Sequence, residues 1–201
     1  MGQGSFTGLP MLVAEELGCD WNKVVAEYAS TSEHIKRNRI FGTMLTGGSR
    51  SIRDSHNYLR EAGAAARNML IAAAAKKWQA RPEECIAEQS IITHRPSGRT
   101  VSFGAVANAA SKLSIPASVS LKDPQNWKVL GSPVRRFDVP DKVTGKTQFA
   151  IDTKLPGMTY AAIAHCPVFG GTLKETNNDA IAQMPGVIKV VPLGNAVAVV
   201  A

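Results

Sequence analysis

Long apolar runs, cysteine pairs and aromatic side chains are all scarce in this sequence. No apolar run approaches the ~20 residues of a transmembrane helix, so the sequence predicts no membrane span. The three cysteines, Cys19, Cys85 and Cys166, are too scattered for a disulfide framework or an iron–sulfur site, and we expect each to be a small buried hydrophobic residue. Aromatic residues make up only 6% of the chain, which argues against a stacking platform for single-stranded nucleic acid.

The usual catalytic sets are missing as well. No Gly-x-Ser-x-Gly elbow is present, and the sequence suggests no catalytic Cys–His pair. The four histidines lack metal-ligand spacing, and we expect surface or structural roles for His34, His56, His94 and His165. Glu15-Glu16 and Glu83-Glu84 are adjacent pairs, and adjacent side chains on a helix point in different directions. The sequence therefore predicts no catalytic acid–base pair and no metal-ligand set.

Positive charge is in excess. Lysine and arginine total 23 against 16 acidic residues, which gives a net charge of +7. This balance favours an anionic partner: nucleic acid, a phosphorylated cofactor or an acidic subunit. With 201 residues and 44% hydrophobic content, the chain has room for one large or two small globular domains.

Apolar spacing in the first half predicts two main helices. One covers Thr7–Leu17, with Thr7 as its N-cap and Gly18 at its C-terminal stop. The other runs over about Ser51–Trp78 and presents many alanines on one face, so it should pack closely against another element.

Two weaker patterns accompany these helices. Lys23–Ala29 alternates weakly between apolar and polar residues and predicts a strand. Three arginines fall seven residues apart on another side of the long helix, where we expect a solvated row: Arg53, Arg60 and Arg67.

The remaining sequence predicts further strands and short helices. Cys85–Thr93 and Arg99–Phe103 have the composition of two strands joined by a Pro-Ser-Gly turn, and Ser102–Lys112 has helical spacing. After Trp127, apolar segments alternate with Pro/Gly turns, and four of them are predicted strands: Thr147–Ile151, Met158–Ala164, Val187–Val191 and Ala196–Val200. With a further short helix predicted at Asn178–Met184, the fold class is α+β.

Two turns rich in glycine and hydroxyl residues precede the two main helices. The first contains Gly2, Gln3 and Gly4, and the second contains Thr46, Gly47, Gly48, Ser49 and Ser51. Glycine allows close backbone approach to a ligand, and a helix N-terminus carries about half a positive charge. The Gln3 amide and the serine hydroxyls add polar contacts, and Arg50 and Arg53 could pair with phosphate oxygens. These turns fit a phosphate or pyrophosphate group.

Simpler interpretations stand beside this anion site. Ser49 could be an ordinary N-cap after a Gly-Gly loop, and the first turn could be a flexible N-terminus. The second turn also lacks the lysine of the Walker pattern. A different class of function is a non-catalytic basic module that binds nucleotide or nucleic acid through the region 36–53.

Segments along the whole chain resemble one known family, the large subunit of molybdenum hydroxylases (the xanthine dehydrogenase and aldehyde oxidase superfamily). The two Gly-rich turns carry the resemblance together with Leu9–Leu17, Leu59–Arg67, Arg136–Gly145, Leu155–Met158, Cys166–Gly171 and Pro185–Val187. Leu9–Leu17, Leu59–Arg67 and Cys166–Gly171 are most similar to the branch that contains the isoquinoline 1-oxidoreductase beta subunit. Arg136–Gly145, with Leu155–Met158 and Pro185–Val187, is similar to the family's a/b hammerhead domain.

The resemblance implies a domain organisation and a cofactor. Residues 1–114 would be a partial molybdopterin-binding domain, residues 115–127 a linker, and residues 128–201 a truncated a/b hammerhead-like domain. The cofactor would be molybdopterin with molybdenum, in its cytosine dinucleotide form. The family's loop residues carry over to Gly2, Gln3 and Gly4, near the molybdenum ligands and pterin. The second turn would lie near the dinucleotide or pterin.

The resemblance also implies an oxidoreductase that hydroxylates an N-heterocycle or an aldehyde with oxygen derived from water. Its partners would be a small [2Fe-2S] subunit, the remainder of the large subunit and a small-molecule substrate, with no nucleic acid. The family's catalytic glutamate lies in a Gly-Glu-Pro-like motif that this sequence lacks. We therefore expect a fragment of a larger polypeptide that alone binds the cofactor weakly and does not turn over substrate.

Overall fold

The chain folds into two compact units, residues 1–146 and 147–201. The computed structural model describes residues 3–39 and 42–201. Both units combine helices with antiparallel strands, which confirms the predicted α+β class. The segment 115–127, predicted as a linker, lies within the first unit, and the division falls after Lys146.

The described residues form six helices and six strands. The helices are α1 (Ser5–Leu17), α2 (Thr31–Lys36), α3 (Arg50–Trp78), α4 (Phe103–Ala110), α5 (Val139–Val143) and α6 (Asn178–Ala182). The strands are β1 (Cys85–Glu88), β2 (Ile91–His94), β3 (Thr100–Ser102), β4 (Ala161–His165), β5 (Lys189–Pro192) and β6 (Ala196–Val200). The predicted long helix, the short helices at 102–112 and 178–184, and the last three predicted strands are thus confirmed within a few residues.

Helices α1 and α3 pack side by side and run parallel. A Cβ on Gly8 would lie 2.9 Å from the Ile52 Cδ1 atom, and a Cβ on Gly63 would lie 2.7 Å from the Val13 carbonyl oxygen. Residue numbers therefore rise together along both helices. As a result, the N-termini of α1 and α3 lie at the same end of the pair.

Helix α1 begins two residues before the predicted start. Its N-cap is Gly4, with φ 69°, a left-handed conformation that glycine adopts without steric cost. Thr7, predicted as the N-cap, is instead buried within the helix, where its hydroxyl accepts the Phe137 N–H at 3.0 Å. The predicted stop is confirmed, since the Gly18 N–H donates to the Ala14 carbonyl.

The first-unit core lies between the C-terminal half of α3, a three-stranded sheet and α4. The strand order is β1-β2-β3, all antiparallel. The core is built from small side chains around one large one: Ala73, Ala74, Ala75, Cys85, Ala87, Ile92, Val106 and Ala110. Of the alanines predicted on the packed face of α3, Ala73 lies in this core, whereas Ala62 is exposed.

The predicted strand Cys85–Thr93 is wrong as a single strand. It forms the hairpin β1–β2, whose two turn residues Gln89 and Ser90 have φ 50° and 64°. Two-residue hairpin turns need positive φ and usually contain glycine or asparagine. Because neither glycine nor asparagine occurs at these two positions, the sequence did not predict a turn here.

Two other predicted strands are wrong. After a 3₁₀ turn at Trp21–Lys23, residues 24–29 form no strand; half-buried and exposed side chains alternate over 24–27 without strand pairing. At 147–151, a 3₁₀ turn over Ala150–Asp152 replaces the strand, and the Asp152 carboxylate accepts the Phe149 N–H at 2.9 Å. Both segments had strand composition but no hydrogen-bonding neighbour.

The second unit contains a three-stranded antiparallel sheet in the order β4-β6-β5. The central strand β6 buries Ala196 and Ala198, whereas all five residues of β4 are exposed. The predicted Met158–Ala164 strand is confirmed at β4, shifted toward the C-terminus.

Candidate functional site

The two Gly-rich turns lie at the same end of the parallel helix pair. Gly4 precedes α1 and Ser49 precedes α3, and both adopt left-handed conformations, with φ 69° and 55°. Neither N-cap residue offers a side-chain acceptor to the helix it precedes. Ser49 thus occupies the predicted N-cap position, but its side chain makes no capping hydrogen bond. Two helix N-termini without side-chain caps point toward one region, which favours a negatively charged ligand.

The predicted site residues differ in their exposure. Gly2 lies outside the described residues. Gln3, Gly4, Gly47 and Ser51 are half-buried, whereas Thr46, Gly48 and Ser49 are exposed.

A cavity of about 730 Å³ in the first unit lies beside the N-termini of α1 and α3. Thr46 and Ser51 of the second turn line it together with Ser5 and Phe6 from the start of α1. The other predicted residues, Gln3, Gly4, Gly47, Gly48 and Ser49, do not line this cavity. The structure thus brings the beginnings of both helices to one cavity and leaves the glycines beside it.

Gln3 has a property that the sequence does not reveal. Its Oε1 atom is buried and has no hydrogen-bond partner among the described residues. A buried carbonyl oxygen without a partner is costly, and native proteins usually satisfy it with protein, water or ligand. Gln3 therefore offers an unused acceptor next to the start of α1.

Aromatic and apolar side chains form another part of the cavity wall. The Phe6 and Tyr28 rings stack at 4.3 Å between centroids, with 18° between their planes. Tyr58 also lines the cavity, and its hydroxyl lies 2.8 Å from the Ser55 hydroxyl. Tyr28 and Tyr58 are 76% and 57% exposed, so flat aromatic surface is open beside the helix N-termini. This combination suits a ligand with a planar ring and an anionic group.

The basic residues near the second turn are already engaged. Arg50 and Arg53 donate to opposite oxygens of Asp54, at 2.8 and 3.1 Å. These two hydrogen bonds lower the pKa of Asp54, so the carboxylate stays ionised between the arginines. The sequence favours both guanidinium groups as phosphate ligands. In the structure, both guanidinium groups are instead hydrogen-bonded to the Asp54 carboxylate.

Most basic side chains of the whole region 36–53 are likewise paired with carboxylates. Lys36 pairs with Glu33 at 3.3 Å, so three of its five basic side chains contact carboxylates. No observation in the described part of the chain favours the nucleic-acid module over the anion site.

His94 confirms the expected structural role. It is buried, its Nδ1 lies 2.6 Å from the Ser97 hydroxyl, and its Nε2 lies 3.3 Å from a Glu84 carboxylate oxygen. Hydrogen bonds from Arg81 and then His94 lower the pKa of Glu84 to about 2. Across the described residues, no group of three or more His, Cys, Asp or Glu side chains is arranged to hold a metal ion.

The sequence did not predict that two glutamates would be buried and bound to distant parts of the chain. Glu15 and Glu16 are 1% and 0% exposed, and both bind groups distant in sequence. Arg60 and Arg67, predicted to be solvated, have side chains only 10% and 14% exposed and pair with Glu16. Of the three arginines predicted to be solvated, Arg53 is exposed, whereas Arg60 and Arg67 face α1.

No helix in the described ranges combines the length and apolar character needed to cross a bilayer.

Comparison with known proteins adds an independent finding. The family model described as "Molybdopterin cofactor-binding domain" matches residues 1–167. The beta subunit of isoquinoline 1-oxidoreductase from Brevundimonas diminuta is 30% identical over the whole chain and 30% of its own length. Membrane-bound aldehyde dehydrogenase (pyrroloquinoline-quinone) of Gluconacetobacter polyoxogenes is 28% identical over 94% of the chain and 24% of its own length.

A third relative is one of the subunits of nicotinate dehydrogenase from Pseudomonas putida. It is 28% identical over the whole chain and 17% of its own length. The chain thus spans less than a third of the length of each of these relatives.

Proposed function

The chain belongs to the molybdopterin cofactor-binding domain family, and from this premise we propose that it forms part of the large subunit of a molybdenum hydroxylase. The substrate class would be N-heterocycles or aldehydes, which receive oxygen derived from water. The names of the three relatives support this range, since they refer to isoquinoline, aldehyde and nicotinate.

The parallel arrangement of α1 and α3 is the observation that carries the proposal. It directs two helix N-termini without side-chain caps toward one region, beside a cavity of about 730 Å³. A molybdopterin nucleotide has a pyrophosphate, for which helix N-termini are suited, and a planar pterin with N–H donors. The unpartnered Gln3 Oε1 can accept such a donor. The residues present therefore fit this cofactor.

Each part of the site would have its own task in holding the cofactor. The backbone of Gly47, Gly48 and Ser49 would bind the pyrophosphate, with the Thr46 and Ser51 hydroxyls beside it. Gln3, with Gly2 and Gly4, would orient the pterin. When bound, molybdopterin with molybdenum would supply the redox chemistry of hydroxylation, while the chain supplies binding and orientation.

Three finer assignments extend the proposal. The cofactor would be the cytosine dinucleotide form, and residues 128–201 would be part of an a/b hammerhead-like domain. A small [2Fe-2S] subunit and the remainder of the large subunit would complete the enzyme. The 201 residues alone would bind the cofactor weakly and would not hydroxylate a substrate; hydroxylation by the purified chain would contradict this.

The substitution Ser49→Asp tests the anion site. Aspartate tolerates the left-handed conformation and is a favourable N-cap, so α3 should fold as before. Its negative charge would repel the pyrophosphate. Holoprotein from a host that makes molybdopterin should therefore lose molybdenum, measured by mass spectrometry, and pterin, measured by fluorescence after oxidative release.

The matched control is Ser114→Asp, at an exposed loop position after α4 that does not line the cavity. It should retain the wild-type content of molybdenum and pterin. Full retention by Ser49→Asp would reject the proposed site. Wild-type protein that carries pyrroloquinoline quinone instead of molybdenum would reject the proposed cofactor.

A further inference from the structure

The adjacent glutamates Glu15 and Glu16 contact different parts of the first unit. Both side chains are almost fully buried at the C-terminal end of α1, with 1% and 0% exposure. Residues 120–130, here called the strap, lie against them. Each carboxylate accepts several hydrogen bonds, so neither is an unpaired buried charge.

Among the described residues, the Glu15 carboxylate binds only groups of the strap. Its Oε2 atom accepts the backbone N–H groups of Lys128, Val129 and Leu130 at 2.8, 2.6 and 3.2 Å, and its Oε1 accepts the Lys122 ammonium at 3.1 Å. Burial alone would raise the pKa of Glu15, but these hydrogen bonds outweigh it and lower the pKa.

Glu16 binds α3 as well as the strap. Its Oε1 atom accepts Nε and Nη2 of Arg60 at 2.9 and 2.8 Å, and its Oε2 accepts Nη1 of Arg67 at 3.3 Å. The Lys122 backbone N–H completes the set at 3.0 Å from Oε2. Glu16 is thus held between two arginines that lie about two helical turns apart on α3.

These contacts restrict sliding of α1 along α3. A slip of one helical turn would displace the two N-termini by about 5.4 Å, nearly twice the length of a hydrogen bond. One anionic ligand could then no longer reach both turns. The distance between the cofactor-binding turns therefore depends on the register between Glu16 and the two arginines.

We propose that Glu16 is a positioning residue for the cofactor. Through Arg60 and Arg67, it aligns the N-termini of α1 and α3 so that both turns contact one molybdopterin nucleotide. This inference rests on the proposed function. It predicts that Glu16, although remote from the turns, controls cofactor retention, whereas Glu15, equally buried, does not.

The test compares Glu16→Gln with Glu15→Gln in the holoprotein. We would follow molybdenum and pterin release during dialysis, at a temperature where circular dichroism shows both variants to be folded. Glu16→Gln should release the cofactor about tenfold faster than wild type, the effect of losing one helix N-terminus at an anion. Glu15→Gln should lower the unfolding temperature but release cofactor at the wild-type rate.

A second variant covers the case in which Glu16→Gln does not fold. Arg67→Met removes one arginine and leaves the Arg60 pair, so it should release cofactor faster than Glu15→Gln. Equal release by the Glu15 and Glu16 variants, or wild-type retention by Glu16→Gln and Arg67→Met, would overturn the positioning role. A complete wild-type enzyme, with the remainder of the large subunit present, that contains no molybdopterin would instead refute the proposed function, which is a distinguishable result.

Discussion

Replacing Gly63 with alanine tests the close parallel packing of α1 and α3. The added Cβ would lie 2.7 Å from the Val13 carbonyl oxygen, 3.0 Å from the Glu16 Cβ and 3.3 Å from the Leu17 nitrogen. Two of these atoms are backbone, so no side-chain rotation relieves the contact. The helices would have to separate.

The expected magnitude follows from two opposing effects. Overpacking of this kind costs about 1–3 kcal/mol, whereas alanine is about 1 kcal/mol more favourable than glycine inside a helix. Because the clash involves backbone on both sides, the overpacking cost should lie in the upper half of its range, and we expect a net loss of roughly 1–2 kcal/mol in the free energy of unfolding. For a chain of this size, that lowers the unfolding temperature by roughly 2–8 °C.

Gly104→Ala is the matched control, because a Cβ at Gly104 in α4 meets nothing within 4 Å. It should be neutral or stabilising by up to ~1 kcal/mol. Urea unfolding followed by tryptophan fluorescence reports on the first unit alone, since Trp21, Trp78 and Trp127 all lie there. A Gly63→Ala protein at least as stable as the Gly104→Ala control would refute the packing argument.

Two further predictions concern the three-stranded sheet of the first unit. The pKa of Glu84 is lowered to about 2 from an ordinary 4.5, so its contribution to stability is complete above pH 4.5 and lost as pH falls toward 2. Glu84→Gln should therefore flatten the pH dependence of the unfolding temperature in this range, and an unchanged slope would contradict the assignment. Gln89→Gly should stabilise the β1–β2 hairpin by about 1 kcal/mol, because glycine adopts the positive φ of this turn without strain. Urea midpoints would detect this gain; a loss of stability would show that Gln89 makes contacts worth more than the strain.

Local patterns were sufficient for much of the fold. The periodicity of the long helix predicted α3 to within one residue, because a repeating apolar face is a property of consecutive residues. Gly18 likewise marked the stop of α1, whereas its start was predicted at Thr7, two residues too late. The hairpin at Gln89 and Ser90 was missed because positive φ in these residue types has no local signal.

The buried ion pairs of α1 could not be predicted. Glu16 and Arg60 are 44 residues apart, and Lys122 is 107 residues from Glu15. Each of these side chains is charged and, considered alone, belongs on the surface. Only a partner brought close by folding makes their burial favourable.

The sequence alone determined the bounds of α3 to within one residue and the stop of α1, and it showed that a glycine-rich turn precedes each helix, since backbone freedom and helical periodicity depend on neighbouring residues. Tertiary structure decided that α1 and α3 run parallel and that their N-termini meet beside one cavity. The physical reason is that the contacts at Gly8, Gly63 and Glu16 join residues 44 to 51 positions apart, so their effect exists only after the chain has folded.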